Sequence, residues 1–134
     1  MVCVHCGHNT AVTNSRHLKR SNQIWRRRQC LTCKSIVSTT EQALYSKIWV
    51  VRGLSGALKP FSRDKLLLSI YASCQHRKNA IADASALTDT VISKLPSLAE
   101  KGVLQPQNIA QVVQVALNRF DGAASTHYQA FHQS

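Results

Sequence analysis

The amino-acid sequence predicts an α+β chain of two small modules: a short β module stapled by cysteines, then a mainly helical domain with a short β-hairpin. Three observations carry that expectation. Two C-x-x-C pairs lie near the N-terminal end, the composition changes after residue 47, and apolar residues fall at helical spacing from Ser62 onward. At 134 residues the chain has room for one domain or two small ones. A metal cage would let a segment of under about fifty residues fold with almost no apolar core.

The pairs are Cys3 with Cys6 and Cys30 with Cys33. Each C-x-x-C turn aims two sulfurs at one spot, and two such turns complete the tetrahedral S4 cage that Zn²⁺ accepts in structural sites. Four protein ligands leave no open coordination position, so one zinc per chain would hold a fold and not activate a water. Redox dithiols or two disulfides are the alternative. Met1-Val2-Cys3 lacks an apolar secretory leader, and a reducing compartment favours ligation. No apolar run approaches the length of a membrane span, so a cytoplasmic protein with no membrane partner is expected. His5 and His8 lie inside the first knuckle as bystanders, since four sulfurs already satisfy the metal.

Each element follows from local pattern. After the first knuckle, Cys3 to Gly7, a polar connection runs through Asn14 to Asn22. A strand over Gln23 to Gln29 puts Ile24, Arg26 and Arg28 on one face and Trp25 and Arg27 on the other. The second knuckle leads into a returning strand of β-branched residues, Ile36 to Thr40. Residues 42–47 read as a linker, Ile48 to Val51 as a strand and Gly53 to Gly56 as a turn. Ser62 is the N-cap of a helix with Leu66, Leu67, Ile70, Tyr71 and Cys74 inward, Cys74 acting as a small hydrophobe. A second helix spans Ala80 to Leu95 with Leu87, Val91 and Leu95 on one stripe. Pro96 and the stretch Gly102 to Pro106 break it. The third runs from Pro106, a good first helical residue, to Phe120, with Ile109, Val112, Val113, Ala116, Leu117 and Phe120 inward. Gly122 separates it from a last short helix carrying Tyr128 and Phe131.

The formal net charge is +11, and it is uneven. Residues 1–47 hold Arg16, Lys19, Arg20, Arg26, Arg27, Arg28, Lys34 and Lys47 against Glu41 alone. Such a field attracts polyanions, and a compact cationic zinc module most often meets nucleic acid. Arg26-Arg27-Arg28 repel one another unless an anion lies against them, and phosphate suits them through bidentate bonds and counterion release. Arg16, Lys19 and Arg20 would grip the same backbone, with Ser15, Thr39 and Thr40 as neutral donors. A merely solvated basic face is the plain alternative. In the second module, Lys59, Arg63 and Lys65 surround a turn before a helix N-terminus, a candidate phosphate cradle. The six acids are scattered, with no paired carboxylates, Ser/His/Asp order or open metal site, so an enzyme is not expected.

The order C-x-x-C, Ser15-Arg16, Arg26-Arg27-Arg28-x-Cys30-x-x-Cys33, Thr39, Glu41 and Pro60-Phe61-x-Arg63-Asp64-Lys65-Leu66 resembles the bacterial NrdR repressors of ribonucleotide reductase genes. That resemblance implies a zinc ribbon over residues 1–44 that binds double-stranded operator DNA. It implies an ATP-cone over 45–134 that senses ATP and dATP and changes oligomeric state, hence a nucleoid-associated homo-oligomer. The nucleotide would meet Val51, Arg52, Gly53, Gly56, Lys59 and Lys65. Three departures stand out. Ile36-Val37 replaces the family's arginine-phenylalanine pair, Gly53-Leu54-Ser55-Gly56 replaces its Lys-Arg-Asp-Gly turn, and Lys59 replaces an acid. The C-terminal segment around Asp121, Ala124, Tyr128 and Phe131 only approximates the family pattern. The residues alone also admit an RNA-associated or other zinc-ribbon protein whose helical domain is only an oligomerisation scaffold.

Overall fold

The computed structural model describes residues 1–132, and the chain divides into two units, Met1–Ala43 and the remainder from Leu44. The first is an antiparallel three-stranded meander, β1 (Thr10–Leu18), β2 (Gln23–Cys30) and β3 (Ile36–Glu41), with β2 in the middle. The stretch expected to be a polar connection is therefore mostly strand: residues 14–18 pair with β2, and only Lys19 to Asn22 form the turn. Its polarity misleads because both faces of a thin ribbon meet water, which removes the apolar alternation that marks a half-buried strand. A bulge at Val12/Asn14 shifts the register, leaving Arg26 opposite Ser15 and Thr39, and Arg27 opposite Asn14 and Ser38. Only Cys3 and Cys30 are buried among residues 1–43.

The second unit begins with α1 (Tyr45–Ile48) where the sequence reads as a linker. Trp49 sits between that turn of helix and β4 (Val50–Arg52), so the strand starts two residues later than expected. The reason is aromatic packing. Tyr45 stacks on Trp49 at 4.5 Å between centroids, and Phe61 meets Trp49 edge-on at 5.5 Å. β4 pairs antiparallel with β5 (Leu58–Pro60) across a turn closed by the Gly53 amide donating to the Ala57 carbonyl at 2.7 Å. Gly56, at φ +82°, supplies the left-handed residue of that turn. On its other edge β4 pairs in parallel with β6 (Val103–Leu104), which lies inside the stretch read only as a helix breaker.

Helix α2 (Arg63–Cys74) starts on Ser62, whose hydroxyl accepts the Lys65 amide at 3.2 Å. It packs against α3 (Ala80–Lys94) and α5 (Gly122–Phe131), and α4 (Pro106–Phe120) packs against those two in turn. The predicted stripes form the core: Leu66, Ile70, Cys74, Leu87, Val91, Leu95, Val113, Leu117 and Tyr128 are all buried beside Trp49, Phe61 and Leu104. Each large apolar side chain contributes about 1.5–3 kcal/mol by leaving water. Phe120, expected inward, is 38% exposed and instead carries the Arg77 guanidinium 4.3 Å above its ring. Phe131 is exposed too. Among the described residues no helix is long and apolar enough to cross a membrane.

Asp121 ties the α4–α5 junction to the loop between α2 and α3. One carboxylate oxygen accepts the Ala123 and Ala124 amides and caps α5, while the other meets Arg77 at 2.8 Å and His76 at 3.0 Å. Hydrogen bonding with His76, then with Arg77 and the Ala124 amide, holds the carboxyl far below the usual carboxylate range. A group depressed in the folded state stabilises above its unfolded pKa, about 3.9, and loses that contribution as pH falls. Asp121→Asn should therefore lower the melting temperature of the helical unit at pH 7, and the gap from wild type should narrow steadily as the pH falls below about 4. Circular-dichroism melts across that range check this; a gap independent of pH would contradict it.

Candidate metal centre and nucleic-acid interface

The four cysteine sulfurs all lie within 4.8 Å of one another. Cys3 Sγ is 3.7 Å from Cys33 Sγ, and Cys6 Sγ is 3.4 Å from Cys30 Sγ. A tetrahedral Zn–S₄ site with bonds of about 2.3 Å has sulfur–sulfur edges of about 3.8 Å, so the set fits structural zinc in size and in donor chemistry. The two knuckles repeat one design. Gly7 follows Cys6 with φ +79° and Lys34 follows Cys33 with φ +64°, each turning the chain back after its second cysteine. Backbone amides aim at the sulfurs: His5 N–H reaches Cys3 at 3.3 Å, and Thr32 and Cys33 N–H reach Cys30 at 3.4 Å.

These donors favour thiolate. The Cys33 backbone amide, aided by that of Thr32, lowers the Cys30 thiol, and hydrogen bonding to the Ser35 hydroxyl and amide brings Cys33 down to about 6. At Cys6 the His8 amide lowers the pKa, but hydrogen bonding to Cys30, burial and the other two sulfurs outweigh it and push the thiol up to about 11. His8 is closer to the chemistry than its sequence position shows, with Nδ1 3.4 Å from Cys6 Sγ. Neither histidine belongs to the ligand cluster.

The second knuckle is continuous with β2, so the cage fixes the strand carrying Arg26, Arg27 and Arg28. The register splits those arginines. Arg26 and Arg28 share a face with Val12, Ser15, Val37, Thr39 and Glu41, while Arg27 shares the other with Asn14, Arg16, Trp25, Ser38 and Thr40. Arg26 is paired with Glu41 at 3.5 Å, and the Arg16 guanidinium lies 5.8 Å from the Trp25 ring centroid. Arg28 Nε is buried without a hydrogen-bond partner among the described residues. Lys19 and Arg20 are exposed on the β1–β2 turn. The structure thus brings Thr39 beside Arg26 but places Arg16 with Arg27.

In the second unit, Val51, Arg52, Gly53, Lys59 and Lys65 line one cavity of about 530 Å³ together with Phe61, Ser62, Pro106 and Ile109. That volume suits a small-molecule ligand. Gly56 shapes the turn but does not line the space. Arg63, a cation of the expected cradle, is turned away: its guanidinium holds Asp89 at 2.9 Å and the Ser85 hydroxyl at 3.1 Å on α3. Three cations and no carboxylate line the cavity. Lys65 stands in the first turn of α2, where the helix dipole disfavours a cation. Its position there is unfavourable for the helix alone and favourable for an anion shared by the two.

Residues 1–41 match the family described as the N-terminal domain of NrdR-like transcriptional repressors. Over the whole length the chain is similar to the transcriptional repressor NrdR of Sphingopyxis alaskensis, with 30% identity over 134 residues covering 99% of this chain and 85% of the relative. Its counterpart from Maricaulis maris is 30% identical over 134 residues, covering 99% and 82%. That of Bdellovibrio bacteriovorus is 26% identical over 134 residues, covering 100% and 68%.

Metal analysis of the purified chain should give one zinc per subunit. Removing zinc with a chelator, or Cys30→Ser, should melt the ribbon while leaving the helical unit folded, since the binding free energy of a structural zinc, about 10–16 kcal/mol, is folding free energy. Amide-resolved spectra that keep the ribbon dispersed without metal would contradict this.

Proposed function

The chain belongs to the NrdR family of transcriptional repressors, and from that premise we propose that it binds promoter DNA of ribonucleotide reductase genes through the ribbon and senses ATP or dATP in the second unit. The observation that carries the first part is the cage itself: four thiolates hold a cationic sheet that has almost no core of its own. Phosphate contacts from exposed arginines supply the affinity and make it salt-dependent. The reading assigns the protein to the nucleoid and gives it no catalytic step, in keeping with relatives named as repressors.

The second part rests on the cavity under the hairpin. Arg52, Lys59 and Lys65 offer cations to a polyphosphate, and Phe61, Pro106 and Ile109 offer apolar wall to a base. The turn that has Gly53-Leu54-Ser55-Gly56 in place of a charged sequence leaves these three to carry the phosphate contacts. Nucleotide binding would act on DNA by changing how subunits assemble, since a homo-oligomer can set the spacing of several ribbons along one duplex.

Calorimetry with ATP and with dATP tests the cavity: Lys65→Ala should weaken binding by about 10- to 150-fold, the span for one charged hydrogen bond. Heat unchanged by the substitution would remove Lys65 from the site, and no heat in the wild type would remove nucleotide sensing. Gel shift on upstream DNA of the ribonucleotide reductase genes, with ATP, with dATP and with neither, tests the whole. Retention should exceed that of an unrelated duplex and change with nucleotide, and equal retention throughout would contradict the reading.

A further inference from the structure

We propose that duplex DNA lies against one face of the ribbon, the face carrying Asn14, Arg16, Trp25, Arg27 and Thr40, and that Arg26 on the opposite face is structural. The arginine run suggests a single cationic strip, but strand geometry sends alternate residues to opposite sides, so one flat contact cannot use all three arginines equally.

Charge separates the faces first. The Arg26 face contains Glu41, and Arg26 already holds it at 3.5 Å. A phosphate arriving there would meet a carboxylate and a guanidinium that is partly satisfied. The Arg27 face carries Arg16 and Arg27 and no acid.

Exposure separates them again. The difference lies on β2 and β3, where Arg27, Ser38 and Thr40 are exposed and Trp25 half-buried, whereas Ile24, Arg26, Arg28, Val37 and Thr39 are all half-buried and only Glu41 is exposed. β1 is exposed on both faces, at Val12 and Ser15 as at Asn14 and Arg16. In one row of the Arg26 face, Arg28 lies in register between Val12 and Val37, and its Nε is buried, closed to solvent contact.

The chemistry of the exposed face also suits a duplex. Its central row runs Asn14–Arg27–Ser38 across the three strands and the next runs Arg16–Trp25–Thr40. Arg27 and Asn14 sit side by side in the order of groups that read guanine and adenine edges in the major groove, a groove wide enough for β-strands. Ser38 and Thr40 are hydroxyl donors for flanking phosphates. Arg16 over the Trp25 ring has a restrained guanidinium, which loses less freedom on meeting a phosphate. Sequence position alone assigns Thr39 to DNA; the face assignment moves that role to Thr40.

This inference rests on the DNA-binding reading above, and one experiment separates their failures. Binding of the full chain to a mixed-sequence duplex is measured across a salt series for wild type, Arg16→Ala, Arg26→Ala and Arg27→Ala, each checked for zinc content. Arg16→Ala and Arg27→Ala should each flatten the plot of log affinity against log salt by about 0.9, one phosphate contact apiece, and Arg26→Ala should leave the slope unchanged. Acrylamide quenching gives a second readout that needs no variant. Trp49 is 6% exposed, so quenchable emission comes from Trp25, and DNA should shield it. Flattening by Arg26→Ala alone, equal flattening from both faces, no flattening from any substitution, or a Trp25 as open to quencher with DNA as without would overturn the face assignment while leaving DNA binding intact. A wild type with no salt-dependent binding would overturn both.

Discussion

The ribbon depends on four sulfurs meeting at one point. Its strands are long enough to pair, but pairing alone does not hold so small a sheet: ordering each residue costs about 1–2 kcal/mol of backbone entropy, and only Cys3 and Cys30 among residues 1–43 leave water almost completely. Metal ligation supplies what a core would supply elsewhere. One consequence is that side chains need not be spent on an interior. β1, β2 and β3 can therefore carry arginines, asparagine, serines and threonines on both faces, which is what a nucleic-acid surface needs and what an ordinary sheet of this size could not tolerate.

The second unit is built in the opposite way. Its stability comes from a continuous core joining Trp49 and Phe61 to the inward stripes of four helices, and polar groups are tied off in pairs, such as Arg63 with Asp89 and Arg77 with Asp83 and Asp121. Against that background Arg52, Lys59 and Lys65 stand out as cations on one cavity that no carboxylate lines. The hairpin above the cavity is short, and its tip residue Leu54 is fully exposed. A scaffold held by its core can leave such a rim free for ligand contact, because little of its stability depends on it.

How much of this was legible in the sequence follows from what each element answers to. The helices were readable almost to their ends, since one-sided burial writes a 3.6-residue period, and Ser62 and Pro106 mark two starts by local chemistry. The cysteine cage was readable because ligand spacing is local within each pair. β1 was hidden by having two wet faces, and β6 by lying in a glycine-flanked stretch of two residues. Trp49 fell outside its expected strand because stacking on Tyr45 and edge-on packing with Phe61 fixed the backbone there. At the site, the sequence grouped Arg26, Arg27 and Arg28 with Thr39. It could alternate the arginines but could not show that the β1 bulge sets Arg16 with Trp25 and Asn14 with Arg27, or that Glu41 closes on Arg26, because those depend on register between strands. Arg63 likewise looked free until Asp89, 26 residues away, was brought to it.

The claim on which the account turns is that the thiolate cage makes the DNA-binding surface. DNA affinity of the full chain, measured before zinc is stripped, after stripping, and after one equivalent of zinc is restored, tests it most directly. The account predicts tight, salt-dependent binding that disappears with the metal and returns with it. Binding that survives complete removal of zinc would show that the cationic sheet does not need the cage, and would contradict the account at its base.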